Sequence, residues 1–373
     1  MNTKERTTED DPLLFYLITS THFFQTPVAR RCLLCIIVYY ALIFLAQTAI
    51  FLYKFESLYF AQYSSSYVFS LIMIMYLVAL SLGLHDLQGF MKEVQWWKFD
   101  SAGEEVEKRI KKESNIITIV MIIDTFLVTI TTIAFTVPQN VDRHLLYEVA
   151  LIEDLFPTWS NVLKIVHRIQ AFFVRPFCVL TSFSLFLYIF CNTRFQMYMI
   201  LNYIKTINEG CENDQVRIKD RLVFCFKSYI QLSEAVRRML KVIESSSLAY
   251  QAMTLVVIVS TATYVLLFQD YAREQNFRFV CLSSCGVFML VTLFQLGQST
   301  EDSVTEVFET LMTIDWYDWN ESTKKIYLMF LLSTVRPLRI QFSENYSLNY
   351  NMAVQVVQNA ASVVLVVYQL NFM

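Results

Sequence analysis

Six glycines, six prolines and four histidines among 373 residues leave little material for hinges, phosphate-cradling loops or metal chemistry. His22, His85, His144 and His167 stand at no metal-ligand spacing with one another or with cysteine, and no glycine-rich phosphate loop occurs, so catalysis, a metal and a cofactor are not expected. Gly/Ser-rich linkers and low-complexity tracts are also missing, which argues for one domain rather than a string of modules. A cleavable signal is not expected: residues 1–31 are polar and broken by Pro12 and Pro27, and the apolar stretch behind them is too long for a signal core. Broken spans of the transporter kind are scarce, since only Gly83, Gly286 and Pro176 interrupt the apolar stretches. No nucleic-acid partner is expected.

What the chain has in abundance is apolar length. Hydrophobic residues make up 55% of it and aromatics 15%, the composition of a helical membrane protein. Seven apolar stretches run Cys32–Tyr53, Tyr67–Leu84, Ile116–Val137, Phe172–Cys191, Ser247–Phe268, Phe279–Leu296 and Leu348–Leu370, and most reach the ~20 residues that cross a bilayer core. The polar segments between them are unequal. Of 30 Lys and Arg, 23 fall before the first stretch and after the second, fourth and sixth, while the other segments hold six and Arg175 lies near the outer end of the fourth. Positive residues mark the cytoplasmic side, so the N-terminus is expected inside and the C-terminus outside. This inverts the orientation of receptors that act through G proteins.

The same topology sorts the remaining signals. None of the eight cysteines falls in the outer segments, so no disulfide framework is implied. Cys32 and Cys35 form a CxxC inside the first stretch and read as small buried hydrophobes. Two N-x-S sequons, at Asn320 and Asn345, lie on the expected inner side, where they stay unmodified. Asp124 is the one acid well inside a span, nearer the inner half; it is a functional suspect, with a protonated acid bonded to a neighbouring helix or a solvated pocket as the plainer readings. Arg175, beside Pro176, is close enough to the interface to snorkel, and His85 and Asp86 mark a water boundary.

Helical stripes continue beyond the spans. Phe195, Tyr198, Leu201 and Ile204 carry the fourth span into the cytoplasm, with a stop near Asn208-Glu209-Gly210. Leu222, Phe226, Ile230, Val236, Leu240 and Ile243 form an amphipathic run leading unbroken into the fifth, and Val304, Val307, Phe308, Leu311 and Met312 repeat the pattern after the sixth. These stripes need partners. Contact between subunits is the leading reading, and closure within one chain or binding to a lipid surface the others.

The last quarter supplies a resemblance. The seventh stretch ends Ser362-Val-Val-Leu-Val-Val-Tyr-Gln369-Leu370, and upstream stand Asp315-Trp-Tyr-Asp-Trp319, the apolar run Ile326–Leu332 and Arg336-Pro337-Leu338. This pattern over residues 297–370, with length and topology over the whole chain, resembles the insect odorant receptors, an inverted seven-helix channel family related to gustatory receptors. Val363, where gustatory relatives usually carry Tyr, favours the odorant branch. The chain lacks the enlarged loop of the shared co-receptor, so it looks like a tuning subunit that assembles with that co-receptor into a tetrameric cation channel.

The resemblance implies an all-α membrane protein with a cytoplasmic segment 1–31, spans with a ligand pocket in 32–296, a helical anchor segment 297–347, and a pore-lining span with an outer tail in 348–373. It implies an odorant-binding subunit of a heteromeric, ligand-gated, non-selective cation channel in the plasma membrane of olfactory sensory neurons. Its partners are the co-receptor, a volatile organic ligand, lipid and permeating cations. A G-protein-coupled receptor remains the alternative from another class, although Asp-Arg-Tyr and Asn-Pro-x-x-Tyr motifs are missing, and a gustatory channel is the near neighbour. On this reading Gln369 lines the outer pore, where an amide replaces part of an ion's hydration, and Val366 and Leu370 form an apolar gate. A small volatile ligand wants an aromatic, apolar cavity with few polar groups. The outer halves of the spans offer Phe69, Met73 and Tyr76; Thr129, Thr132 and Ile133; Phe173, Phe177 and Leu180; and Tyr264. For each residue, helix packing or lipid contact is the plainer reading.

Overall fold

The computed structural model describes residues 26–53, 56–93, 103–209, 214–335, 341–343 and 346–372. Hydrocarbon offers backbone groups no partner, so apolar segments of this length bond internally as helices, and helices account for nearly all of the described chain. In order they are α1 (Pro27–Tyr53), α2 (Ser57–Glu93), α3 (Glu104–Thr136), α4 (Asp142–Leu145), α5 (Tyr147–Leu155), α6 (Ser160–Lys205), α7 (Gln215–Leu267), α8 (Gln269–Glu274), α9 (Asn276–Met312), α10 (Glu321–Thr334) and α11 (Tyr350–Phe372). A 3-10 turn, Pro157–Trp159, precedes α6, and two short strands, β1 (Gln341–Ser343) and β2 (Tyr346–Ser347), pair antiparallel before α11.

Among the described residues five helical segments are long and apolar enough to cross a membrane: Arg31–Tyr53, Tyr59–Val78, Glu104–Thr136, Pro157–Lys205 and Asn276–Met312. The fifth and seventh apolar stretches lie in α7 and α11. The side chains of His85, Asp86, Leu240, Ile243, Val363 and Leu370 lie outside the described residues, as do Gly210 and Arg336-Pro337-Leu338.

Both helical continuations are single helices: α6 runs on to Lys205, and α7 carries the amphipathic run into the fifth stretch without a break. Their stripes close within the chain, which corrects the reading that gave them to a neighbouring subunit. Leu222 of α7, Val304, Val307 and Leu311 of α9, and Phe330 of α10 are wholly buried, and they join Phe195, Tyr198, Leu201 and Ile204 in the largest apolar cluster. Each such side chain contributes roughly 1.5–3 kcal/mol of transfer free energy. Only the margins stay uncovered, with Met312, Leu328, Met329 and Leu332 exposed.

Polar side chains lock this inner unit. Tyr327 Oη donates to the Leu311 carbonyl at 2.9 Å, Trp319 Nε1 donates to Asn208 Oδ1 at 3.2 Å, and Gln215 Oε1 accepts from the Asn320 backbone at 3.0 Å. Asn320 Oδ1 in turn accepts from Thr323 N, so the first sequon asparagine serves as the N-cap of α10. Arg221 Nη1 reaches the carbonyls of Thr206 and Glu209 at 3.1 and 3.0 Å and so satisfies the end of α6. Gly297 matters for a different reason: a Cβ there would run into the Leu348 carbonyl, so only glycine lets the chain entering α11 lie against α9.

Two smaller readings change. Cys32 and Cys35 lie on the outward face of α1 rather than buried, and all seven described cysteines are free. Burial pushes the Cys225 thiol, in the inner part of α7, up to about 12.

Candidate functional site

The outer end is built differently. Residues 138–171, which join the third and fourth apolar stretches and fall on the side expected to be outside, fold into α4, α5 and the first three turns of α6. The polar composition that suggested a loop is used inward. Asp142 of α4 is buried and accepts from Arg278 Nη1 of α9 at 2.5 Å and Arg168 Nη2 of α6 at 2.6 Å. Arg278, 0% exposed, also donates through Nε to the Ala134 carbonyl at 2.8 Å and through Nη2 to that of Val137 at 2.7 Å. One side chain thus caps the C-terminal carbonyls of α3, pairs an acid of the connecting segment and holds the start of α9 beside both. With both partners and the surrounding carbonyls supplied, the buried charges are compensated.

A second buried acid pins α5. Glu148 accepts from Ser66 and Ser70 of α2 at 2.8 and 3.3 Å, and Arg175 Nη2 of α6 stands 3.7 Å away. Arg175 therefore does not snorkel to the interface. It is turned inward over the Phe69 ring, 5.1 Å from its centroid. Behind it, the Tyr39 hydroxyl and His167 Nδ1 lie 2.7 Å apart, and Gln170 Nε2 donates to Tyr40 Oη at 3.3 Å. Tyr59, Tyr63 and Tyr147 pack edge-on against one another at centroid separations of 5.0–6.4 Å, and Phe51 meets Tyr59 edge-on and Tyr147 at a tilt.

Around these polar groups the structure sorts the candidate ligand residues into separate sets. Phe69, Met73 and Phe177 come together with Leu33, Tyr40 and Cys178 between α1, α2 and α6. Tyr264, wholly buried, joins a different group with Phe135, Leu145, Leu146, Phe268 and Phe279, where α3, α7 and α9 meet the connecting segment. Its hydroxyl has no partner among the described residues. Tyr76 and Leu180 are half-buried. Thr129, Ile133 and Phe173 face outward, Phe173 at 66% exposure. The Thr129 and Thr132 hydroxyls donate to the carbonyls of Thr125 and Val128 one turn back, which engages both donors.

Asp124 of α3 is wholly buried and neither carboxylate oxygen has a hydrogen-bond partner among the described residues. On α11, Val366 and Gln369 are exposed. Among the residues the sequence did not single out are Tyr39, Tyr40, Gln47, Ser66, Ser70, Asp142, Glu148, Arg168 and Arg278. Fourteen residues separate Glu148 from the aliphatic positions Val162, Ile165 and Val166, and in sequence its carboxylate is indistinguishable from a solvated loop acid.

Comparison with known proteins agrees with this architecture. No curated protein matches the chain. The structure is similar to that of the insect olfactory receptor OR5 from Machilis hrabei in complex with eugenol, at a TM-score of 0.61 and 12% identity, covering 93% of this chain and 91% of that one. It is similar also to a second structure of the same receptor, at a TM-score of 0.59 and 12% identity, covering 90% of this chain and 88% of that one. At that identity the likeness shows the fold. Residues 56–361 match the family described as 7tm Odorant receptor, and this chain belongs to that family.

Proposed function

We propose that the chain is the odorant-binding subunit of a heteromeric, ligand-gated, non-selective cation channel, with the N-terminus inside, the C-terminus outside and α11 lining the pore. The observation that carries it, beyond family membership, is the surface of α11. Val354, Val357, Leu365, Val366 and Tyr368 remain exposed in the single chain, whereas the stripes of the inner unit are consumed. A helix with apolar residues on several sides, and with Gln369 exposed among them, fits a wall shared between subunits, where the amide faces ions and Val366 and Leu370 close the path by expelling water. The receptor OR5, which is described in complex with eugenol, supports a small organic ligand.

The ligand binds in the outer half, where Phe69, Met73 and Phe177 form one apolar wall and Tyr264 a second; Tyr76, Thr132 and Leu180, half-buried, are the remaining candidates, and Thr129, Ile133 and Phe173 drop out because they face outward. Binding opens the channel by the difference between its affinities for open and closed states. The co-receptor completes the tetramer in the plasma membrane of olfactory sensory neurons. Co-expression with the co-receptor tests this. Gln369→Ala is expected to change relative ion permeability while leaving the rank order of odorants unchanged; the reverse outcome removes α11 from the pore.

A further inference from the structure

Nearly every buried polar atom in a folded protein has a partner. Between α1, α2, α5 and α6 several do not. Gln47 of α1 is 0% exposed, and neither its amide nitrogen nor its carbonyl oxygen bonds anything among the described residues. Gln170 Oε1 and Arg175 Nε of α6 are bare in the same sense. Arg175 reaches Tyr40, but its closest approach to Glu148, 3.7 Å, is too long for a hydrogen bond although both groups are sequestered. Gln47 sits seven residues beyond Tyr40 and four before Phe51, on one face of α1. Tyr40 accepts from Gln170. The Phe51 ring lies 5.9 Å from that of Tyr147, the neighbour of Glu148. Along α1, Gln47 therefore lies between the residue that meets Gln170 and the residue that meets Tyr147.

A site that existed only for packing would be better filled by leucine, because an unpaired buried amide costs stability and an apolar isostere does not. We propose that these unpaired groups bind the hydroxyl group of a small alcohol or phenol whose carbon skeleton lies against Phe69 and Met73. The bare atoms decide the chemistry. They mix donors, Arg175 Nε–H and the Gln47 amide, with acceptors, the carbonyl oxygens of Gln47 and Gln170, so the guest must both give and take a hydrogen bond. A carboxylate would face Glu148 and an ammonium would face Arg175; a neutral hydroxyl meets neither repulsion. The inference deepens the ligand-binding reading above and rests on it only where current is the readout.

The test compares benzyl alcohol with ethylbenzene, which differ by the hydroxyl, on the purified full chain in nanodiscs by ligand-observed NMR. The wild-type chain is expected to bind benzyl alcohol at least about ten-fold more tightly, as in sites built to pair a hydroxyl. Gln47→Leu is expected to erase that preference, to leave ethylbenzene binding unchanged, and to keep or raise the melting temperature. Gln170→Leu provides a second variant should Gln47→Leu not fold. Preference retained in a folded variant, or no preference in the wild type, overturns the site. Benzyl alcohol binding without current on co-expression with the co-receptor would count against the channel reading and leave the site standing.

Discussion

The inner and outer ends of this molecule differ in what they bury completely. Inside, α6, α7, α9 and α10 meet through wholly buried apolar side chains such as Leu222, Val307 and Phe330. Outside, α2, α3, α6 and α9 are joined through Asp142, Glu148, Arg168, Arg175 and Arg278. Both ends cap a helix with arginine, yet Arg221 does so at a half-buried position and Arg278 with no exposure at all. Apolar packing is non-directional and tolerates exchange of shape. Buried charge networks are directional and fail when one member is lost. The difference leaves the directional, hydrogen-bonding surfaces at the end where we propose that the ligand binds.

The largest effect should come from breaking the outer network. Arg278→Leu leaves Asp142 with Arg168 alone and the α3 carbonyls uncapped, and a loss of about 3–5 kcal/mol is expected, read as a fall in the melting temperature of the detergent-purified chain. Arg278→Lys should not restore it, because one ammonium cannot reach a carboxylate and two carbonyls as the guanidinium fork does. At the inner end Leu222→Ala should cost about 2–5 kcal/mol by the same measurement, while Leu222→Met should cost under about 1.5 kcal/mol. If arginine-to-lysine exchange outside proves as mild as leucine-to-methionine exchange inside, the contrast between the two ends fails.

A smaller effect is expected where the inner unit meets α11. Gly297→Ala forces a Cβ against the Leu348 carbonyl, an overpacking worth about 1–3 kcal/mol; altered gating with little loss of surface expression would show that the inner unit sets the position of α11. Smallest of all is the response of Cys225. Its thiol is held neutral up to about 12, so maleimide should not label it in the folded chain at neutral pH and should do so after denaturation. Labelling of the folded chain would mean that the inner core opens readily.

The inner unit was legible because its chemistry follows helical periodicity: Phe195, Tyr198, Leu201 and Ile204, or Val304, Val307 and Leu311, are spaced as a buried face must be. What spacing left open was the partner of each stripe, and the structure finds it within the same chain. The start of α6 was missed because its pattern is inside out. Lys164, His167 and Arg168 turn inward to Glu153, Tyr39 and Asp142, while Val162, Ile165, Val166 and Ile169 are exposed. Composition there says loop, and only the partners say helix. Among the candidate ligand residues, Phe69, Met73 and Phe177 converge, whereas Thr129, Ile133 and Phe173 share the right residue types but not the inward face.

By itself the sequence determined that this is a helical membrane chain, where its long helices lie and which ending places it near the odorant receptors, because hydrocarbon enforces internal hydrogen bonding and length follows from bilayer thickness. Only the tertiary structure decided that residues 138–171 pack into the bundle and that Arg278, Asp142, Arg175 and Glu148 lie buried together. Whether a charge meets water or its counter-charge depends on residues distant along the chain, 136 positions apart for Arg278 and Asp142, and no local pattern encodes that meeting.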